Sequence, residues 1–410
     1  MMPTLNQNSP RTESDGFGLD HLPYASFSAS GSAPAQLGIR FGDNVYAVAA
    51  ILERAGTVSP EATAASAAGN LNALLAAGHE VWSELRQSLQ DVLGDPEHAK
   101  ELLMNAYAVS DVQLHMPFTV GDYVDFYGNE HHATNVGRIF RPTQPPLTPN
   151  WKHLPIGYHG RSGSIYPSNT PIPRPKGIRP ETDAAPSFGG SRRLDIEAEI
   201  GFVLGGSAPS GEVKLEQADN HIFGLTLTND WSARDIQAFE YVPLGPNLGK
   251  SFATSISPWV TPLAALEFAR TAPPARDTTL ADYLDDADLK PWGFEIQIEV
   301  ILNGETVARP PFASTYWTAA QMLAHMTVNG ATLRPGDFFA GGTISGPEKN
   351  ERGSFLELSW GGEEPLALAD GSAFTFLRDG DTVTLRATAG TKDGTFIRLG
   401  DCTGTIHPAS

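Results

Sequence analysis

Apolar residues fall on one face of a 3.6-residue period at Val81, Trp82, Leu85, Leu89, Val92 and Leu93, which predicts an amphipathic helix over 78–93. An earlier helix is signalled by Ser59-Pro60-Glu61, a hydroxyl that can cap the first free amides followed by a proline at the first helical position. A further short helix is expected over 97–108. Upstream, Leu22–Tyr24 and the run GIRFGDNVYAV read as a short strand, a Gly-Asp turn and another strand. Residues 1–20 are rich in Ser, Asn and Pro and are expected to be a flexible lead-in.

Beyond Asp111 the texture changes to short strands punctuated by Gly and Pro. Phe294, Ile296, Ile298 and Val300 alternate with Glu295, Gln297 and Glu299 and run into Asn303-Gly304, a strong hairpin signal. Thr382, Thr384 and Arg386 alternate in the same way with Val383 and Leu385. The segment 171–190 reads as an extended Pro-rich loop, and 265–290 as a polar insertion with a short helix. These patterns predict a mainly β (α+β) chain in two parts, 1–118 and 119–410, the second a rolled or barrel-like sheet. No internal repeat is visible.

Composition narrows the function classes. With 410 residues the chain can bury more than one core, and a net charge of -19 disfavours nucleic acid or an anionic membrane as partner. No apolar run approaches the ~20 residues that span a bilayer, and the N-terminus lacks the apolar core of a secretory signal. Cys402 is the single cysteine, so there is no internal disulfide and no cysteine zinc knuckle. A cytoplasmic enzyme of a small molecule is the expectation.

Four acidic residues are candidates for one divalent ion: Asp125 in YVDFYGNEHHATN, Glu197 and Glu199 in RRLDIEAEI, and Asp230 in TLTNDWSARD. Glu197 and Glu199 are two apart in a strand-like run, so a pleated backbone turns both to one face. Asp230 ends a second apolar run containing Ile222, Leu225 and Leu227, at the tip of a strand. With His132 seven residues beyond Asp125, such a set would make a hydrolytic site around a hard, oxygen-liganded cation, Mg²⁺ or Ca²⁺. Each residue also has a plain structural reading. An isolated Glu-x-Glu is usually a solvated strand face, the reading we give Glu295 and Glu299, and Asp230 could cap a helix starting at Trp231. The His spacing does not match a zinc protease, His153, His159 and His325 read as structural, and Cys402 as a buried apolar residue.

Longer blocks carry a family resemblance. DFYGNEHHATNVGRIFR, PNWKHLPIGYHGR, LDIEAEI, NDWSARDIQAFEYVPLGPNLGKSFATSISPW, VNGATLRPGDFFAGGTISG and SFLELSWGG together resemble the fumarylacetoacetase family, in the same order from about Asp20 to the C-terminus. The resemblance implies a small N-terminal SH3-like barrel before a mixed β-roll, a homodimer, and hydrolysis of 4-fumarylacetoacetate to fumarate and acetoacetate, the last step of tyrosine and phenylalanine breakdown. It implies Asp125, Glu197, Glu199 and Asp230 as metal ligands, with Lys250 and Thr254 at a neighbouring metal position. It also implies His132 as general base oriented by Glu357, and Arg234, Gln237 and Lys250 as oxyanion donors. Tyr127, Arg141, Tyr158, Gln237, Tyr241 and Thr343 match substrate contacts. His131 departs from the pattern and reads as a neighbouring imidazole rather than part of the site.

Those residue types suit the reaction. Carbon–carbon hydrolysis needs an activated water, which a neutral imidazole held by a carboxylate can supply, and donors for the developing oxyanion. A diketo dicarboxylate on an acidic protein needs local cations, with Arg141 the candidate clamp. The rivals are an acylpyruvate hydrolase or decarboxylase with the same carboxylates, and a non-catalytic metal-stabilised scaffold. The scaffold has no use for both His132 and Glu357.

Overall fold

The computed structural model describes residues 15–29, 31, 33–206, 211–390, 394 and 396–410. Of the expected flexible lead-in, residues 1–14 lie outside the described residues, and 15–20 pack: Phe17 is buried, stacked on His21 and covered by the Arg40 guanidinium. The N-terminal part is a five-stranded sheet in which strands Gln36–Phe41 and Asn44–Ala47 flank a Gly42-Asp43 turn, with Tyr24–Ser28 paired on the other side. Ser59 Oγ accepts from Ala62 N and Pro60 opens the helix Pro60–Ser66, as its residues predict. The amphipathic helix runs His79–Gly94 and buries Trp82, Leu85, Leu89, Val92 and Leu93. The next helix ends at Leu103, short of the expected 108, because Tyr107–Ala108 is taken up as an edge strand of the sheet.

The larger part is built on an eight-stranded sheet. Across it run Gly157–His159, Tyr123–Phe126, Phe338–Ala340, Ala198–Leu204, Ile222–Asp230, Thr254–Ile256 and Ile165–Pro167, with Thr261–Pro262 pairing on Ile222–Asp230. Pairing is antiparallel except for Phe338–Ala340 on Tyr123–Phe126 and Thr254–Ile256 on Ile165–Pro167. The central strands Ala198–Leu204 and Ile222–Asp230 are buried at every residue, which explains their near-continuous apolar sequence. A second, five-stranded sheet holds the hairpin strands Ile296–Leu302 and Glu305–Ala308, then Thr382–Gly390, Phe396–His407 and Ile172–Pro173. There the predicted alternation appears, with Ile296, Ile298 and Val300 inward and Glu295 exposed.

The segment 171–190 departs from expectation. Despite its prolines it forms a hairpin, Lys176–Arg179 against Ser187–Gly190, because the prolines fall outside both paired runs. In 265–290 the helical pieces are 3₁₀ turns at Leu263–Ala269 and Asp282–Leu284. The two parts of the molecule share a core: Leu22, Trp82 and Phe118 pack in one cluster with Val203, Phe223 and Phe338.

Candidate active site

Five strands of the large sheet deliver the site. Antiparallel register sets Asp125 opposite Tyr158 and Asp230 opposite Thr254, so each pair projects from one face. The end of the Asp230 strand is pinned by fully buried Trp231, whose Nε1 donates to Ser255 Oγ at 2.8 Å. No helix begins at Trp231; the chain continues through Ser232–Ala233 and turns helical at Arg234. The HHATN run is helical rather than extended. Asn129 caps helix Glu130–Phe140 by accepting from His132 N at 3.0 Å, which turns His132 inward to 3% exposure. His131, the adjacent residue, is only part-buried.

Asp125, Glu197 and Glu199 are all buried and present oxygens within 4.8 Å of one another. Among the described residues Asp125 Oδ1 and Glu199 Oε1 have no hydrogen-bond partner, although burial should leave no polar atom unpaired. Their other oxygens are spoken for: Tyr158 OH donates to Asp125 Oδ2 at 2.7 Å and Gly342 N to Glu199 Oε2 at 3.0 Å. Gly342 has φ +87°, and a Cβ there would meet Phe126 O at 2.3 Å, so glycine is required for that amide to reach the carboxylate. Burial and the neighbouring carboxylates push both the Asp125 and the Glu199 acids far above their ordinary range, as like charges crowded together do. Three converging carboxylates with two orphaned oxygens fit a hard divalent cation.

Asp230 stands beside this triad with both oxygens engaged, Oδ1 by Thr254 Oγ1 at 2.7 Å and Oδ2 by Lys250 Nζ at 2.8 Å and Tyr158 OH at 3.0 Å. Lys250 also donates to Glu197 Oε2. Burial lowers the Lys250 ammonium but Asp230 and Glu197 outweigh it and hold it protonated, so its side chain neutralises the cage and offers no lone pair. In turn Lys250 and Arg234 overcome the effect of burial on Glu197 and keep that carboxyl ionised. Arg234 Nη1 donates to Glu197 Oε1 at 2.7 Å and to Gln237 Oε1 at 3.1 Å, while its buried Nη2 has no partner among the described residues.

His132 Nδ1 lies 2.6 Å from Glu357 Oε2, leaving Nε2 on the cage side, 4.0 Å from Glu197 Oε1. Glu357 comes from a short helix, Phe355–Leu358. Ser354 caps that helix and donates to Glu357 Oε2 at 2.8 Å; Asn135 Nδ2 and Ser345 Oγ add bonds at 3.0 and 2.9 Å. Burial pushes the Glu357 acid up, but His132 and these donors prevail and lower it. The sequence reading missed Asn135, Ser345 and Ser354, although Asn135 is one helical turn from His132 and Ser354 is three residues before Glu357, the spacing of an N-cap.

Among the expected substrate contacts, the Tyr127 ring meets His132 edge-on with centroids 5.4 Å apart, and Thr343 Oγ1 is buried without a partner among the described residues. Arg141 ends the His132 helix and spends one bond on Pro146 O at 3.1 Å. Tyr241 follows the Arg234 helix and is part-buried, as is Gln237. A cleft of ≈ 560 Å³ opens on the Asp230–Lys250 side, lined also by Tyr158, Arg161, Ser251 and Thr254; His132 does not line it. His153, His159 and His325 are outside the acidic triad, and His325 bonds Tyr283 OH at 2.9 Å. Cys402 is buried and free.

Residues 20–117 match the family model of the fumarylacetoacetase N-terminal domain, and 123–407 that of the fumarylacetoacetate hydrolase C-terminal domain. The chain belongs to the fumarylacetoacetase family. It is 42% identical to the fumarylacetoacetase of Rattus norvegicus over 414 residues, covering 98% of each chain. Identity to the Homo sapiens enzyme is 41% with the same coverage, and to that of Arabidopsis thaliana 40%, covering 96% of each. Among solved structures, the fumarylacetoacetate hydrolase of Exiguobacterium antarcticum superposes with a TM-score of 0.52 at 16% identity, over 94% of this chain and 99% of that one. A probable 2-hydroxyhepta-2,4-diene-1,7-dioate isomerase of Mycobacterium abscessus superposes at 0.51 with 18% identity, over 95% and 99%. At these identities the two structures speak to the fold alone, an N-terminal sheet domain before a curled-sheet fumarylacetoacetase-type domain.

Proposed function

We propose that this protein hydrolyses the carbon–carbon bond of 4-fumarylacetoacetate, giving fumarate and acetoacetate, the last step of tyrosine and phenylalanine breakdown. The observation that carries the reading is the His132–Glu357 pair set against the Asp125–Glu197–Glu199 triad, in a chain matching fumarylacetoacetases over nearly its whole length. We take Asp125, Glu197 and Glu199, with Asp230 beside them, as the residues that hold Mg²⁺ or Ca²⁺. When bound, that cation supplies Lewis acidity to the paired oxygens of a β-diketone, favouring the enolate over a bare carbanion.

The rest is work of the chain's own groups. Glu357 fixes the Nδ1–H tautomer of His132, so Nε2 is free to take a proton from water. That water adds to the carbonyl bearing the fumaryl group. The oxyanion meets the unpartnered Arg234 Nη2, with Gln237 and Lys250 as further donors. Collapse breaks the bond to the methylene carbon, and the imidazolium returns its proton to the departing acetoacetate carbon. Arg141, Tyr127, Tyr158, Tyr241 and Thr343 orient the dicarboxylate.

We further propose a homodimer in the cytoplasm, with the chain divided as 1–118 and 119–410. Exposed Ile178 and Phe188 face each other across their hairpin, which packs through Gly177 on Ile236 of the helix bearing Gln237. Phe239, Val242 and Leu244, also exposed, extend that apolar surface beside the site. The activity is tested by a panel of fumarylacetoacetate and shorter acylpyruvates, following loss of diketone absorbance and identifying both products. Preference for an acylpyruvate, or release of carbon dioxide, would assign the chain another reaction.

A further inference from the structure

Between the cage and the dyad lies a carboxylate with no part in either. Asp195 is fully buried, two residues before Glu197, and its oxygens are saturated. Oδ1 accepts from Ile196 N at 2.8 Å and Phe355 N at 2.7 Å, and Oδ2 from Leu356 N at 3.0 Å and Arg234 Nε at 2.8 Å. Phe355 and Leu356 are the first two residues of the short helix that carries Glu357. Arg234 is the guanidinium whose Nη2 meets no acceptor among the described residues. One side chain therefore ties the oxyanion arginine to the helix that orients the base, two elements from distant parts of the sequence.

We propose that Asp195 is a positioning residue: it fixes Arg234 and the Glu357 helix to each other, and so sets where the oxyanion donor stands relative to His132. Capping alone does not account for it, because Ser354 already caps the same helix with a neutral hydroxyl. Burying a carboxylate is costly unless every lone pair is used, as here. Arg234 also has a second carboxylate, Glu197, on Nη1. Holding Nε on the opposite side keeps the guanidinium from being drawn wholly onto the cage, and keeps Nη2 available. The antiparallel pairing of Leu194–Asp195 with Ser232–Ala233 sets Asp195 just ahead of Arg234, so the tie is built into strand register.

The test is Asp195→Asn, which keeps the size but turns an amide NH₂ toward existing N–H donors. The expected result is a fall in kcat of about 10²-fold, the lower range for losing one oxyanion donor, with KM within about threefold and metal content unchanged. In an Arg234→Lys background the same substitution should cost less than about threefold more, because Asp195 acts through Arg234. An equal penalty in both backgrounds, or a loss of activity matched by loss of folded or metal-bound protein, overturns the proposal. If Asp195→Asn does not fold, Asp195→Glu keeps the charge on a longer arm. It should then fold and lose at least about tenfold in kcat, again coupled to Arg234→Lys; full activity or additive losses overturn the proposal.

Discussion

Replacing Glu357 by Gln isolates what the negative charge does for His132. The side chain is enclosed by four donors, His132 Nδ1, Asn135 Nδ2 and the hydroxyls of Ser345 and Ser354. Glutamine can keep its carbonyl on His132 Nδ1 if its NH₂ meets Asn135, whose amide flips to present oxygen, while the serine hydroxyls rotate. Tautomer and fold therefore survive, and stabilisation of the imidazolium does not. Two unit charges about 4 Å apart at an effective dielectric of ~20 interact by about 4 kcal/mol. A neutral hydrogen bond recovers about 1 kcal/mol, leaving about 3, or on the order of 10²-fold in kcat. Steady-state kinetics on fumarylacetoacetate, with metal content and thermal midpoint measured alongside, checks this. His132→Ala should lose more, and the double variant little beyond that, since residues acting as a unit are not additive. A Glu357→Gln enzyme within about fivefold of the parent, or one that loses its metal, would refute the dyad.

Asp125→Asn removes one of the triad carboxylates, and should weaken divalent-metal affinity at least about tenfold by titration calorimetry; unchanged affinity counts against the cage. Arg141→Met should raise KM about 10- to 100-fold for the dicarboxylate, the worth of a charge-assisted hydrogen bond, and have little effect on an analogue esterified at the distal carboxyl. An equal effect on both would remove Arg141 as the clamp. His21, fully buried between Gly16 O and Thr261 Oγ1, is pushed down to about 3 by burial. The unfolded chain takes up that proton near 6.5, so stability is lost as pH falls below 6.5, by about 2 kcal/mol at pH 5. His21→Gln should flatten the denaturant midpoint over that window; an unaltered slope would show that other groups set it.

Local pattern made much of the scaffold legible. The helix ending at Gly94, the Ser59 cap and the hairpin at Asn303-Gly304 each follow from short-range rules, and each forms. Boundaries governed by distant partners were not legible: Tyr107–Ala108 leaves its helix because Asn44 and Val45 offer it a sheet edge. Glu197 and Glu199 could be picked out because strands repeat every two residues, and Asp230 because it ends an apolar strand run. Glu357 could be named but not placed on a helix, since a single turn has too few residues to show a period. Asp195 looked like any acidic strand residue, because its significance lies in amides that arrive from Phe355 and Leu356.

Single turnover in H₂¹⁸O, with products trapped before carbonyl exchange, tests the central claim most directly. Attack of a His132-activated water on the fumaryl-bearing carbonyl predicts one ¹⁸O in the new carboxylate of fumarate, one equivalent of unlabelled acetoacetate, and no label transfer in His132→Ala. Carbon dioxide in place of fumarate, or label entering at the acetoacetate fragment, would contradict it.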